Sequence, residues 1–456
     1  MKRRQFLKTS GLIGGLAIAA PEIISAPLIQ GKKPKSVIII GAGFAGLAAA
    51  YALKKKGVHV WMLESRNRIG GRVFSYKPES AKDLVIELGA EWVGNSHERV
   101  IALCKEFQLE LLDNQFDTHL TLQGEYHKAN DWNLSPELEA FWKDKTKIWE
   151  ALTPAQKKKL DKQDWWRYLS NKGFSDRDLL LRELMDSTDF GESIRHTSGY
   201  AAFAEYAESS EKNEMDLKIK GGNSQLTEKL ADAVGRGFIL TNHQVTQINQ
   251  DPKGGVSVLC ANGNKFKADK LICTAPTASL MKIKWTPQLP AIQQDALNAL
   301  QYARIGKFPM VFSERFWKDQ AFDMVTDTPA HYFYHATKHQ NGSDGVLISY
   351  AVGEKADVLG SLSKAQREGL ILDALKPAFG DVKKYLKESL VYYWGVDQYS
   401  KGAYAFYGKS QWFGIMPVLK QAFMHTRFAG EHLADWQGFM EGAINSGEDA
   451  AASLLV

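Results

Sequence analysis

A β-branched apolar run at residues 36–40, the turn Gly41-Ala42-Gly43-Phe44-Ala45-Gly46 at its end, and a helical stretch leading to a second apolar run that stops on Glu64 predict an α/β protein with a Rossmann-like dinucleotide-binding domain. At 456 residues the chain exceeds the size of one hydrophobic core, so at least two domains are expected.

Residues 1–35 read as an address outside the fold. They combine Arg3-Arg4, the sequence Gln5-Phe6-Leu7-Lys8 and an apolar run over 11–20 that is too short to span a bilayer. The pattern resembles the bacterial twin-arginine export signal. It implies a periplasmic or secreted protein that uses the twin-arginine export machinery and leaves the cytoplasm folded with its cofactor bound; Pro21 and Pro27 blur the cleavage site, so a tethered form stays open. This segment carries +6 of the overall formal charge of +5, leaving a nearly neutral body and no call for a nucleic-acid partner. Cys104, Cys260 and Cys273 show neither metal-ligand spacing nor a disulfide framework, and read as small buried hydrophobes, with no metal site.

Each piece of the first βαβ unit has a physical reason. Gly41 permits the tight turn, Gly43 lets backbone approach a diphosphate, and Gly46 lets the helix lie close on the strand; the helix N-terminus favours the phosphate charge. Ala45 belongs to that same amide-bearing first turn, and Glu64 stands where an acid accepts ribose hydroxyls. Arg66-Asn67-Arg68-Ile69-Gly70-Gly71-Arg72 follows directly: paired glycines bring more amides to the diphosphate, and Arg66 or Arg72 can offer a forked charged contact. A surface loop held by its own arginines is the alternative.

By residue 94 the chain resembles the flavin monoamine oxidase family. The likeness rests on the Gly-Gly extension, on Ile86 to Gly94 (with Gly89, Ala90, Glu91 and Trp92), on Lys220-Gly221-Gly222, on His243-Gln244-Val245, on residues 267–276, and most specifically on Arg427 to His432 and Asp435 to Ala443. The resemblance implies an FAD-binding domain assembled from discontinuous segments (36–115, 218–285, 391–456) and an α+β substrate domain (116–217, 286–390) with a helical insertion. It places Gly89, Ala90, Glu91 and Trp92 along the flavin ring, Val245 at the adenine, Trp394 in the same envelope, and Gly430 and Glu431 at the ribityl chain. A helix starting near Gly438 would direct the amides at Phe439 and Met440 toward the flavin's pyrimidine carbonyl.

Three residues carry the expected chemistry. Lys307 interrupts an apolar strand; the resemblance implies that it holds a water near the flavin and assists reoxidation by oxygen, while a solvent-facing edge lysine is the plain alternative. Tyr404 and Phe439 would face each other across the substrate nitrogen, with core packing as their alternative. Two departures matter. Ala403 stands where some relatives carry a flavin-linking cysteine, which implies non-covalent FAD, and Phe439 replaces a tyrosine. The implied reaction is oxidation of the C–N bond of a small amine, with electrons passing to oxygen or a periplasmic acceptor. The alternatives are an L-amino acid oxidase or monooxygenase, and a non-catalytic flavin redox relay. Related amino acid oxidases commonly hold the substrate carboxylate with an arginine in the loop after the acidic strand; here residues 89–97 carry none before Arg99, which favours an amine lacking a carboxylate, although Arg195 or Arg304 remain candidates to hold one.

Overall fold

The computed structural model describes residues 33–209 and 216–455, so Arg3-Arg4 and the apolar run over 11–20, read above as an export signal, lie outside the described residues. The elements that position the site are, in chain order, β1 (Ser36–Ile40), α1 (Phe44–Lys55), β2 (His59–Leu63), β3 (Asp117–Leu122), α2 (Asp176–Phe190), α3 (Gly199–Glu208), β4 (Ile239–Leu240), β5 (Lys270–Cys273), β6 (Ile305–Phe312), β7 (Phe322–Thr326), β8 (Tyr332–His335), β9 (Gly345–Val352), β10 (Thr426–Phe428) and α4 (Met440–Ala452).

The fold is mixed α/β. A five-stranded parallel sheet runs β10-β5-β1-β2-β4, gathering strands from three distant stretches of chain. Val37, Ile38, Ile39 and Ile40 of β1 are buried on both faces, as the unbroken apolar run requires of a central parallel strand. Helices α1 and α4 lie together beside this sheet, and a Cβ on Gly447 would sit 2.0 Å from the Ala45 carbonyl oxygen. The first and last helices of the described chain therefore touch backbone to backbone.

The second sheet has eight strands in the order Leu386–Ser389, β6, β9, β8, β7, β3, Glu125–His127, with Tyr392–Tyr393 also pairing β6. Every pair is antiparallel except β7 with β3. Alternation along β6 divides its side chains: Phe308, Met310 and Phe312 enter one core cluster, while Ile305 and Val311 enter another on the opposite face.

Between β3 and the return to the parallel sheet lie helices Pro136–Ala151, Pro154–Leu160, Trp165–Asn171, α2 and α3. Ser135, Thr153, Asp164, Ser175 and Ser198 each cap one of them through a side-chain oxygen. Phe141, Trp149 and Trp165 of this insertion pack around Phe203 of α3. The three cysteines are free and buried.

Candidate active site

A cavity of about 240 Å³ runs from the first βα turn to the face of the second sheet. At its N-terminal end Gly41 takes φ +99°, and a Cβ there would strike Thr274 Oγ1 at 2.5 Å; at Gly46 it would meet the Gly41 carbonyl oxygen at 2.0 Å. Both glycines answer to the protein's own packing. Gly43 does not: an added Cβ would have nothing nearer than 3.9 Å, in a backbone conformation of φ −80° and ψ −177° open to any residue. Gly43 is also the N-cap of α1 and gives it no side-chain cap, and the first turn holds no acid. These unclaimed amides, beside a glycine that the protein alone does not need, fit a diphosphate.

Glu64 is buried at the end of β2 and accepts from Ala42 N at 2.8 Å and from Arg66 N at 2.8 Å, which fixes its carboxylate at the cavity edge with acceptor capacity left for hydroxyls. The Gly-Gly loop is hydrogen-bonded onto the fingerprint turn, Gly70 N to Ala42 O at 2.8 Å, and Arg68 braces it through the carbonyls of Ile69, Gly71 and Val73. Arg66 and Arg72 both border the cavity, but each is already paired. Arg66 forks onto Asp397 at 2.8 and 2.6 Å, and Arg72 meets Glu431 at 2.5 Å.

Glu431 in turn accepts from Gly438 N at 2.9 Å, so the Arg72–Glu431 pair anchors the turn that leads into α4. Helix α4 starts from Phe439 without a side-chain cap, and Phe439 and Met440 both border the cavity. Trp394 ties this region to the loop over 86–94 by donating from Nε1 to Leu88 O at 2.8 Å. Gly89 is obligatory, since a Cβ would lie 2.1 Å from Arg72 O. Trp92 Nε1 is buried against the cavity with no acceptor among the described residues.

On the opposite wall β6 is an interior strand, so Lys307 is not an edge lysine. Its Nζ donates to Glu87 O at 3.0 Å and pairs with Glu91 Oε2 at 3.1 Å, and Tyr334 OH donates to the same carboxylate oxygen at 2.5 Å. Register explains the rest: Lys307 stands opposite Tyr350, which stands opposite Tyr332, one row across three strands that all border the cavity.

Tyr404 and Phe439 both line the cavity, and Gly438 presses on the Tyr404 ring, where a Cβ would come within 2.8 Å. Phe439 is held edge-on by His97 and Trp436, at centroid distances of 5.1 and 5.7 Å. The Tyr404 hydroxyl is directed at the end of α2, donating to the carbonyls of Thr188 and Asp189. Its ring, not its hydroxyl, therefore faces a ligand. Replacing Tyr404 by Phe is expected to cost about 1 kcal/mol of stability and leave kcat/KM within roughly tenfold, whereas Tyr404→Ala, which removes the wall, falls further; steady-state kinetics on both variants check this.

The expected residues Gly41, Gly43, Ala45, Glu64, Arg66, Gly71, Arg72, Gly89, Ala90, Glu91, Trp92, Lys307, Trp394, Tyr404, Gly430, Glu431, Phe439 and Met440 all border this one cavity. Two do not. Gly46 serves helix–strand packing, and Val245, at the start of the strand Val245–Asp251, is buried in the core cluster that also holds the lining residues Ile40 and Ala275. The remaining arginines that might have held a carboxylate are engaged elsewhere: Arg99 with Glu448, Arg304 with Glu192 and Asp357, and Arg195 over the Trp166 ring. The sequence reading missed Tyr332, Tyr350, Asp189, Glu205 and Tyr206, all of which line the cavity. A hint was present in α2, where Asp186 and Asp189 recur at helical spacing on the face that also carries Arg182. Burial, reinforced by the Asp186 carboxylate, pushes the Asp189 carboxyl up to about 7.

The profile of the family described as flavin containing amine oxidoreductase matches residues 44–455. Similar proteins include an L-amino-acid oxidase of Crotalus adamanteus, 25% identical over 95% of this chain and 89% of that protein, and the flavin-containing amine oxidase B of Sus scrofa, 27% identical over 92% and 86%. Among solved structures, the cyclohexylamine oxidase from Brevibacterium oxydans shares 22% identity at a TM-score of 0.82, covering 92% of this chain and 99% of its own. A putrescine oxidase bound to putrescine shares 21% at a TM-score of 0.82 with the same coverage. Those two likenesses establish a common fold.

Proposed function

The chain belongs to the flavin containing amine oxidoreductases, and from that membership we infer that its cavity holds FAD without a covalent link and oxidises the C–N bond of a small amine lacking a carboxylate. The observation that carries this reading is the convergence, on one cavity, of the diphosphate turn at Gly43, the capless start of α4 at Phe439, and the Lys307–Glu91 pair. Bound FAD supplies the two-electron acceptor for the substrate's α-carbon hydrogen, leaving an imine that water hydrolyses to a carbonyl compound and ammonia or a smaller amine.

The protein's own work is placement and charge. Gly43, Ala45, Glu64 and the Gly70-Gly71 loop would hold the nucleotide end, with Arg72 acting through Glu431 to fix the other. Tyr404, Phe439 and Tyr350 form aromatic walls that accept an amine and exclude water. Lys307 keeps a positive charge at the cavity wall, where it favours electron transfer to oxygen. Both lining arginines are spent on Asp397 and Glu431, which disfavours the amino acid reading.

Anaerobic mixing with primary and secondary amines is expected to bleach the flavin, and admitted air to restore it with release of peroxide. Amino acids bleaching it in preference to the matching amines would transfer the assignment to an L-amino acid oxidase, and colour that survives every amine would favour a redox relay. Because Ala403 replaces the linking cysteine, acid precipitation should leave all of the flavin in the supernatant; a yellow pellet would refute non-covalent binding. Export by the twin-arginine route is supported by Arg3-Arg4 and the short apolar run behind them. Exchanging both arginines for lysine is expected to retain the enzyme in the cytoplasm on cell fractionation.

A further inference from the structure

Behind the Lys307–Glu91 pair lies a second carboxyl that does not border the cavity. Glu87 is buried, and its main-chain carbonyl takes Lys307 Nζ at 3.0 Å while the same Nζ meets Glu91 Oε2 at 3.1 Å. Among the described residues the Glu87 carboxylate itself is held by neutral donors: Asn223 N at 2.7 Å on Oε1, and Ser75 Oγ at 2.8 and 3.0 Å from the two oxygens. Asn223 ties the two acids together, because its Nδ2 also donates to the carbonyls of Ala90 and Glu91, at 2.9 and 2.8 Å. Residues 87–91 therefore set two buried carboxyls about one lysine at the cavity wall.

The ion pair of Lys307 is with Glu91, which also accepts from Tyr334 OH at 2.5 Å. Charged groups face Glu87 from three sides. Glu91, in the same loop, opposes a second negative charge; Lys307 of β6 and Lys218 of the strand Leu217–Ile219 favour one, Lys218 being bonded to Ala336 O at 3.3 Å. The strand Ser75–Tyr76 and the start of the helix Ser224–Val234, laced together by Ser75 and Ser224, offer it only hydroxyl and amide groups. Burial, reinforced by Glu91, pushes the Glu87 carboxyl up to about 7. A carboxyl braces Ser75 and Asn223 in either protonation state, so its proton is free to follow the charge in the cavity.

We propose that Glu87 is a proton store for the flavin cycle, binding one proton when the cofactor is reduced and releasing it when the cofactor is reoxidised. This role rests on the FAD reading above and goes beyond it. A hydride equivalent from the substrate's α-carbon places two electrons and one proton on the flavin, which adds one negative charge to a buried site. At that wall Glu91 already offsets Lys307, so the new charge acts on the Glu87 equilibrium: the ionised carboxylate is repelled and takes a proton from solvent. On reoxidation, reduced flavin, oxygen and one proton give oxidised flavin and hydrogen peroxide. The added charge is then gone, and Glu87 releases its proton, matching the one consumed. The coupling is reciprocal, so a protonated Glu87 makes the flavin easier to reduce.

The test follows the flavin midpoint potential by spectroelectrochemistry on FAD-loaded enzyme, without amine, from about pH 5 to about pH 9. One proton taken up with two electrons gives a fixed slope of potential against pH. In the unaltered enzyme that slope is expected to steepen roughly twofold over a window opening near pH 7. Glu87→Gln keeps the side chain's shape and stays neutral, so the window should be lost. The same window in Glu87→Gln, or none in the unaltered enzyme, overturns the proposal and leaves amine oxidation intact. Should Glu87→Gln fail to accumulate, Glu91→Gln decides: with the neighbouring charge removed and Lys307 left to face Glu87, the window moves to lower pH, and a window that stays in place overturns the proposal. A second readout uses the apoprotein. Because the Glu87 carboxyl is raised in the folded state, the stability it lends is present in acid and lost as pH rises through about 7. The urea midpoint should therefore fall less over that range in Glu87→Gln, and an equal fall in both proteins counts against the proposal. Folded protein that takes up no flavin would overturn the FAD reading itself, and the proton store with it.

Discussion

Replacing Lys307 by Met is expected to slow reoxidation of the reduced enzyme by oxygen by on the order of a hundredfold, while anaerobic reduction by the amine changes far less. On the proposed reading Lys307 would contribute a charge and hydrogen-bond donor beside the flavin, so its loss should be felt where negative charge passes to oxygen. The same change has a structural cost. Glu91 is 3% exposed, and without Lys307 the Tyr334 hydroxyl is the one side-chain hydrogen-bond donor left on its carboxylate among the described residues. An orphaned buried acid costs about 3–5 kcal/mol. The double variant Lys307→Met/Glu91→Gln separates the two effects: stability measured by urea unfolding should largely return, and oxygen reactivity measured by stopped-flow should not. Reoxidation recovering along with stability would show that Lys307 only holds the fold together.

Gly43→Ala is expected to yield folded protein that has lost its cofactor. The new methyl group meets no protein atom within 3.9 Å and the backbone angles suit alanine, so the apoprotein's unfolding midpoint should hardly move. It would meet the diphosphate instead. Overfilling such a contact costs ~1–3 kcal/mol, roughly ten- to a hundredfold in FAD affinity. Gly46→Ala makes the contrast, because its methyl lands 2.0 Å from the Gly41 carbonyl oxygen and must displace backbone, so that variant loses stability with or without FAD. Titration of stripped protein with FAD, alongside thermal unfolding of the apo forms, distinguishes the two glycines. Unchanged affinity in Gly43→Ala would remove the diphosphate from this turn.

How much was legible depended on how local the cause is. β1, the glycine turn and the acid of β2 are contiguous, and hydrophobic period and turn chemistry act over a few residues, so the nucleotide half reads directly from residues 36–64. Helix Lys364–Phe379, opened by the Ser363 capping box, and strand β9 have equally local causes. Val245 is less direct, its side chain being buried in a core cluster that reaches the cavity through Ile40 and Ala275.

By itself, then, the sequence determined the cofactor-bearing scaffold: where the chain turns, which glycines are required, and that Lys307 is an unusual residue for an apolar strand. Only the tertiary structure decided what Lys307 touches, because strand register sets it beside Tyr350 and a chain separation of 216 residues brings it to Glu91. The same holds for Asp189, a plain helical acid in the sequence that becomes a cavity residue once α2 ends against Tyr404 and Tyr206. Local patterns encode elements through neighbouring residues. Charge and burial at a site depend on segments that meet only after the two sheets have formed, and no short stretch of sequence contains that information.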